Sequence, residues 1–143
     1  MDVKTISENS LNNCYYLKSL RVLSKKWTVF IVLQLLEFET LNFTNIQNRI
    51  KKQSEENLSA TVLSGSLSTL EEQGIVKRKV LSEKMPIRVI YSLTEKGKEL
   101  GELLNKIDIW TNKWENNDGK KHREKCKLCK QLPHLLVEVI AES

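Results

Sequence analysis

Two thiols and two imidazoles crowd into one short stretch late in the chain. His122, Cys126, Cys129 and His134 fall within thirteen residues, and they include both histidines of the sequence. Thiolate and imidazole are ligands that zinc prefers, and four of them complete a tetrahedral site. A lone CxxC is half of the usual pattern, so several outcomes stay open. The pair can belong to a zinc site, closed within the chain or shared by two CxxC pairs across a dimer. It can form a disulfide, or it can hold no site. The flanking lysines Lys125, Lys127 and Lys130 favour thiolates and suit either chemistry. No strand–helix–strand pattern surrounds the pair, which argues against a thioredoxin-like enzyme. Cys14 stands alone, and three cysteines do not make a disulfide framework.

A second kind of chemistry lies in the distribution of charge. The chain of 143 residues carries a net +5. Between Ile75 and Leu93, Lys77, Arg78, Lys79, Lys84 and Arg88 stand against Glu83 alone, a local +4. Between Gly119 and Lys130, Lys120, Lys121, Arg123, Lys125, Lys127 and Lys130 stand against Glu124, a local +5. The remainder is therefore acidic. Cations gathered into two segments form an electrostatic footprint for phosphate. The plainer reading of each segment is a solvated lysine-rich face. No constellation of nucleophile, base and oxyanion donor appears, so the sequence is not read as an enzyme.

The elements that must position these cations can be read from periodicity. Leu17, Leu20, Val22 and Leu23 suit a first helix ending near Ser24. Trp27 to Glu37 is apolar on nearly all sides, as a central core helix is. Thr40-Leu41-Asn42-Phe43 is a short connection, with an extended pairing against a later hairpin. Asn42 or Thr44 caps the next helix, in which Phe43, Ile46 and Ile50 face inward. After a polar turn, Ser59 is the cap candidate of a helix whose Leu63, Leu67 and Leu70 make one buried stripe. Thr61, Ser64, Gly65 and Ser68 occupy its other face. Gly74 ends it in the left-handed conformation, and a basic strand follows. Pro86 belongs at the hairpin tip or the very start of the return strand, because it has no ladder donor. In that strand Val89, Tyr91 and Leu93 alternate with Arg88, Ile90 and Ser92. Thr94 opens a long helix to about Trp114. Its apolar face holds Leu100, Leu103, Leu104, Ile107, Trp110 and Trp114, more than a small domain covers, so a homodimer interface is expected there. Asn116-Asn117-Asp118-Gly119 reads as a break, and Leu132 to Ala141 as a short last helix.

Helix, glycine stop, basic hairpin, helix is the order of a winged helix-turn-helix, mainly helical with one small β-hairpin. In that design a helix enters the major groove of double-stranded DNA and the hairpin lies on the backbone. The DNA-facing candidates are Ser59, Thr61, Ser64, Gly65 and Ser68 for the groove, and Lys77, Arg78, Lys79, Lys84 and Arg88 for phosphate. The expected organisation is a polar N-terminus over 1–13, the domain with its dimerisation helix over 14–117, and a basic extension over 118–143. The longest apolar run, Val29 to Leu33, breaks at Gln34, far short of the ~20 residues of a membrane span. The start shows no secretory signal, so a cytoplasmic protein is expected.

Lys25-Lys26-Trp27-Thr28, Ser59, Val62-Leu63-Ser64, Leu67, Leu70-Glu71-Glu72 and Gly74-Ile75-Val76 occur in a fixed order. Pro86, Arg88-Val89, Tyr91-Ser92-Leu93-Thr94 and Gly97 close the set. This ordered set resembles the HxlR-type branch of the MarR-like winged-helix transcription regulators, from about Cys14 to Trp114. The resemblance implies a dimeric regulator on a pseudo-palindromic operator, joined through its terminal helices. Some relatives sense oxidants through a cysteine just before the first helix. Cys14 lies there, although Tyr15 replaces the usual proline after it. Relatives carry Lys, Gln or Arg on the exposed recognition face, where this chain has Thr61, Gly65, Ser66 and Ser68. Base readout should then be modest, with affinity carried by the hairpin cations. A winged-helix module that binds protein in the transcription machinery, with weak or no specific DNA binding, is the alternative.

Overall fold

The computed structural model describes residues 11–126 and 128–130. The element order is α1 (Tyr15–Leu23), α2 (Lys26–Glu37), α3 (Phe43–Ser54), α4 (Ala60–Glu72), β1 (Val76–Ser82), β2 (Arg88–Leu93), α5 (Glu95–Lys113) and α6 (Asn117–Lys125). Among the described residues, no helix is long and apolar enough to cross a membrane.

The core forms around α2. Phe30, Ile31, Val32, Leu33 and Leu35 are all buried, joined by Ile46 and Ile50 of α3 and by Leu63, Leu67 and Leu70 of α4. Gln34, where the apolar run breaks, is as buried as its neighbours. It stays there because its amide is satisfied: Oε1 accepts from Arg49 Nε at 3.0 Å, and Nε2 donates to Gln53. Arg49 also lies over the Phe38 ring, 3.9 Å from its centroid. One polar side chain of the central helix thereby fastens α3 in place.

Each expected cap is present. Asn42 Oδ1 accepts from Asn45 N at 2.8 Å, Ser59 Oγ from Val62 N at 3.1 Å, and Thr94 Oγ1 from Gly97 N at 3.1 Å. These bonds satisfy N–H groups that a helix start otherwise leaves open. At the end of α4, Gly74 has φ +72°. Ile75 N donates to Leu70 O at 2.9 Å and Gly74 N to Glu71 O at 3.0 Å, the paired bonds of a Schellman stop. Gly97 has a different reason to be glycine. A Cβ there would stand 2.2 Å from the Ile75 carbonyl oxygen, so only glycine lets α5 start against the root of the hairpin.

The hairpin is one antiparallel pair, running from Val76↔Leu93 to Ser82↔Arg88 with an irregularity between Val80 and Ser82. Leu41 bridges Tyr91 through two backbone bonds of 3.1 and 2.8 Å, the expected extended pairing. The expected alternation along β2 is not found. Only Leu93 is buried, and Val89 to Ser92 are all half-buried. A two-stranded ribbon leaving the core has no second layer to bury one face against.

The late segment also departs from expectation. The break is confined to Trp114–Asn116, and Gly119 lies inside a helix. Asn116 caps that helix, its Oδ1 accepting from Gly119 N at 2.9 Å, with Asp118 in the first turn. A run of Asn and Asp is a cap signal as much as a break signal. The boundary expected between 117 and 118 therefore falls in the first turn of α6. The expected helix over Leu132 to Ala141 and most of the polar N-terminus lie outside the described residues.

Candidate nucleic-acid interface

Two neighbouring helices and a short turn build the helix-turn-helix. α3 ends at Glu55, which takes the left-handed conformation at φ 58°. Gln47 Nε2 donates to Leu58 O at 3.0 Å, and Leu58 is fully buried, so the turn is pinned to α3. Lys26 reaches Glu56 at 2.6 Å and ties the same turn to α2. From there α4 turns its leucine stripe into the core. Thr61, Ser64, Gly65 and Ser68 face solvent together, as the periodicity requires. Ser66 is half-buried. Ser59 is exposed, but its oxygen is committed to the cap, which leaves its O–H to donate.

One exposed residue of this face is not marked out by the sequence pattern. Val62 is apolar and exposed, next to Thr61 and one turn from Gly65 and Ser66. Its place outside the Leu63–Leu67–Leu70 stripe is the one signal for it.

In the hairpin, Lys77, Arg78, Lys79, Lys84 and Arg88 are all exposed. Among the described residues none of these five makes an ion pair. Their charge is therefore open to an outside anion. Val80, Leu81, Met85 and Ile87 are exposed between them.

The second basic segment is a weaker anion surface than its composition suggests. Arg123, counted there as a free cation, is turned inward between Asp108 of α5 and Glu115. Its NH1 lies 2.7 Å from Asp108 Oδ1, an ion pair without hydrogen-bond alignment, and its Nε donates to Glu115 Oε1. Burial works against the Arg123 charge, but the Glu115 and Asp108 carboxylates more than offset it and raise its pKa. Lys120, Lys121, Lys125 and Lys130 remain exposed.

The same segment brings His122, Cys126 and Cys129 together, their ligand atoms all within 4.8 Å of one another. His134, the fourth expected ligand, lies outside the described residues. The two thiols are not equivalent. Backbone N–H donation from Cys129, helped by Leu128 and the Arg123 charge, lowers the Cys126 pKa against the opposing effect of burial. Burial and donation to Cys126 push Cys129 up to about 11. Arg123 lowers both thiols; the backbone donors to Cys126, the bond from one thiol to the other and the burial of Cys129 set this asymmetry. Cys14 is a free, half-buried thiol at the cap position of α1.

The expected dimer residues divide. Leu100 and Leu104 are 6% and 8% exposed and pack into the protomer's own core. They are thus removed from the face open to a partner. Leu103, Ile107, Trp110 and Trp114 are exposed, the two tryptophans at 67% and 71%. Leu103, Ile107 and Trp110 line a groove with Tyr16, Leu20 and Leu23 of α1.

A capped recognition helix, its glycine stop and the basic hairpin that follows define a winged helix-turn-helix protein. The chain belongs to the HxlR-like helix-turn-helix family of transcription regulators, whose model matches residues 22–119. It is 42% identical over 97 residues to the uncharacterized HTH-type transcriptional regulator YvaP of Bacillus subtilis, covering 68% of this chain and 83% of YvaP. The reduced form of the transcriptional regulator YodB from B. subtilis superposes with a TM-score of 0.59 at 30% identity, over 71% of this chain and 93% of that one. A MarR-family regulator from Enterococcus faecalis shares the fold at 24% identity, with a TM-score of 0.59 over 86% of this chain and 94% of its own.

Proposed function

We propose that this protein is a cytoplasmic DNA-binding transcription regulator that acts as a homodimer on a pseudo-palindromic operator. α4 enters the major groove, and the hairpin lies along the phosphate backbone. The observation that carries this reading is the set of five exposed hairpin cations without ion pairs, beside an outward face of α4. Dimerisation through Leu103, Ile107, Trp110 and Trp114, with Tyr16 and Leu20 of α1 added, would place two recognition helices on half-sites about 34 Å apart. The bare α4 face favours the other reading, a protein-binding module, because it offers no Arg, Lys or Gln for bidentate base contact.

One titration separates them. Binding of the protein and of Arg88→Ala is measured on the DNA flanking its own gene and on a random duplex, at several salt concentrations. Arg88→Ala should weaken both duplexes by a similar factor and reduce the salt slope by about 0.9 for each phosphate no longer neutralised. An unchanged slope would remove the wing from the DNA. Absence of binding to both duplexes at low salt would favour the protein-binding module.

We read the His122, Cys126 and Cys129 cluster as a zinc site rather than a disulfide. Its support is the convergence of three ligands that zinc favours. Metal content of the purified, reduced protein tests it.

A further inference from the structure

Helix α6 has little of its own to hold it. It is nine residues long and buries no residue. Isolated helices shorter than roughly 12–15 residues are marginal in water. Its anchors are Arg123, between Asp108 and Glu115, and Leu128, which packs against the core just beyond its end. The candidate metal ligands sit between those two anchors. Cys126 N donates to His122 O at 2.8 Å, closing the last turn of α6. Cys126 O then accepts from Lys130 N at 3.1 Å, the bond of a further helical turn that brings Cys129 near Cys126.

The helix end itself suits a cation. A helix C-terminus carries partial negative charge, and the last turn of α6 presents it to this cluster. In a tetrahedral zinc site with Zn–S near 2.3 Å and Zn–N near 2.0 Å, ligand atoms stand roughly 3.5–3.8 Å apart. Separations of up to 4.8 Å close to that spacing by side-chain movement of about 1 Å.

Resting on the zinc reading, we infer that the ion is a latch. Zn2+ held by His122, Cys126 and Cys129 fixes the turn that carries Leu128 onto the core and Arg123 onto α5, so docking of α6 on the dimer helix depends on metal. Binding only the docked form shifts the equilibrium by mass action. At zinc near 100 times its Kd the undocked population falls about 100-fold. Protease cleavage tracks that population when opening is fast. Lys120, Lys121, Lys125 and Lys130 supply exposed trypsin sites along the segment.

The experiment uses the full-length protein with its thiols reduced by a phosphine. Zinc is titrated against a chromophoric chelator, and trypsin cleavage within 120–130 is timed with zinc or with EDTA. The expected result is about one zinc per chain and cleavage slowed by one to two orders of magnitude. Cys129→Ser should lose both effects, and Cys14→Ser neither, with circular dichroism confirming that each variant is folded. Arg123→Gln should retain zinc but cleave faster than the unaltered protein both with and without it. Stoichiometric zinc with unchanged cleavage overturns the latch and leaves the zinc site standing. No zinc uptake by the reduced protein overturns both.

Discussion

Helices α4 and α5 use the same device inward and opposite devices outward. Each buries leucines on the shared core: Leu63, Leu67 and Leu70 from α4, Leu100 and Leu104 from α5. Outward, α4 presents Thr61, Ser64, Gly65 and Ser68, while α5 presents Leu103, Ile107 and Trp110, with Trp114 at its C-cap. Small polar groups let a backbone come close to a hydrated, charged surface. Large apolar groups gain most when they leave water against another apolar surface. The buried leucines alone do not distinguish what the two helices present to solvent. The exposed halves of these helices, rather than their buried halves, carry the information about partners.

The comparison is broken most directly at Trp110. If α5 faces a second copy of the chain, each Trp110 acts as an aromatic anchor, and a two-fold interface contains it twice. Truncation of such an anchor costs about 2 kcal/mol or more. Trp110→Ala should therefore weaken the dimer by about 4 kcal/mol, close to a thousandfold in Kd. Sedimentation equilibrium across a wide concentration range measures it. A monomer in the unaltered protein, or a dimer indifferent to this change, would show that the tryptophans serve something else.

The buried stripe gives the next largest effect. Leu67 is 2% exposed at the centre of the α4 stripe. Leu67→Ala should destabilise the fold by about 2–5 kcal/mol, through reduced burial and the cavity left behind. Urea unfolding at fixed protein concentration should show a lower midpoint with an unchanged slope. An equal loss from Ser68→Ala, one residue along and exposed, would mean that the two faces of α4 are not distinct.

How far these faces were legible in the sequence depended on the range of the interaction involved. Caps at Asn42, Ser59 and Thr94, the glycine stop at Gly74 and the leucine stripe are local, because partner groups lie within a few residues. Arg123 was not legible in the same way. Its partner Asp108 is fifteen residues away, across a turn whose asparagines read equally as break and cap. By composition alone it therefore counts with the free cations. Gln34 looked like an interruption because its partners Arg49 and Gln53 lie on another helix. The division of the α5 face into buried Leu100 and Leu104 and open Leu103, Ile107 and Trp110 also needed the third dimension. Helical periodicity places all of these within one broad stripe, and only the position of α1 and α2 decides which part is covered.

The smallest change tests the most specific claim, that α4 is shaped for close approach. A Cβ added at Gly65 meets nothing within 4 Å. In the free protein Gly65→Ala therefore has no steric cost, and it removes the entropic penalty of glycine inside a helix, about 1 kcal/mol. The variant should be more stable, with Tm raised by roughly 3 °C. On DNA the sign should reverse. If the helix backbone lies against the groove at Gly65, the new methyl group occupies the space the nucleic acid needs. Specific binding should then fall about tenfold, or about 1.4 kcal/mol. Random duplex, held mainly by the hairpin cations, should be affected less. Calorimetry and duplex titration on the same preparation read the two effects independently. Raised stability with unchanged operator affinity would leave the helix propensity argument intact. It would also show that the small residues of α4 are not there to admit DNA, and the contrast with α5 would lose its polar half.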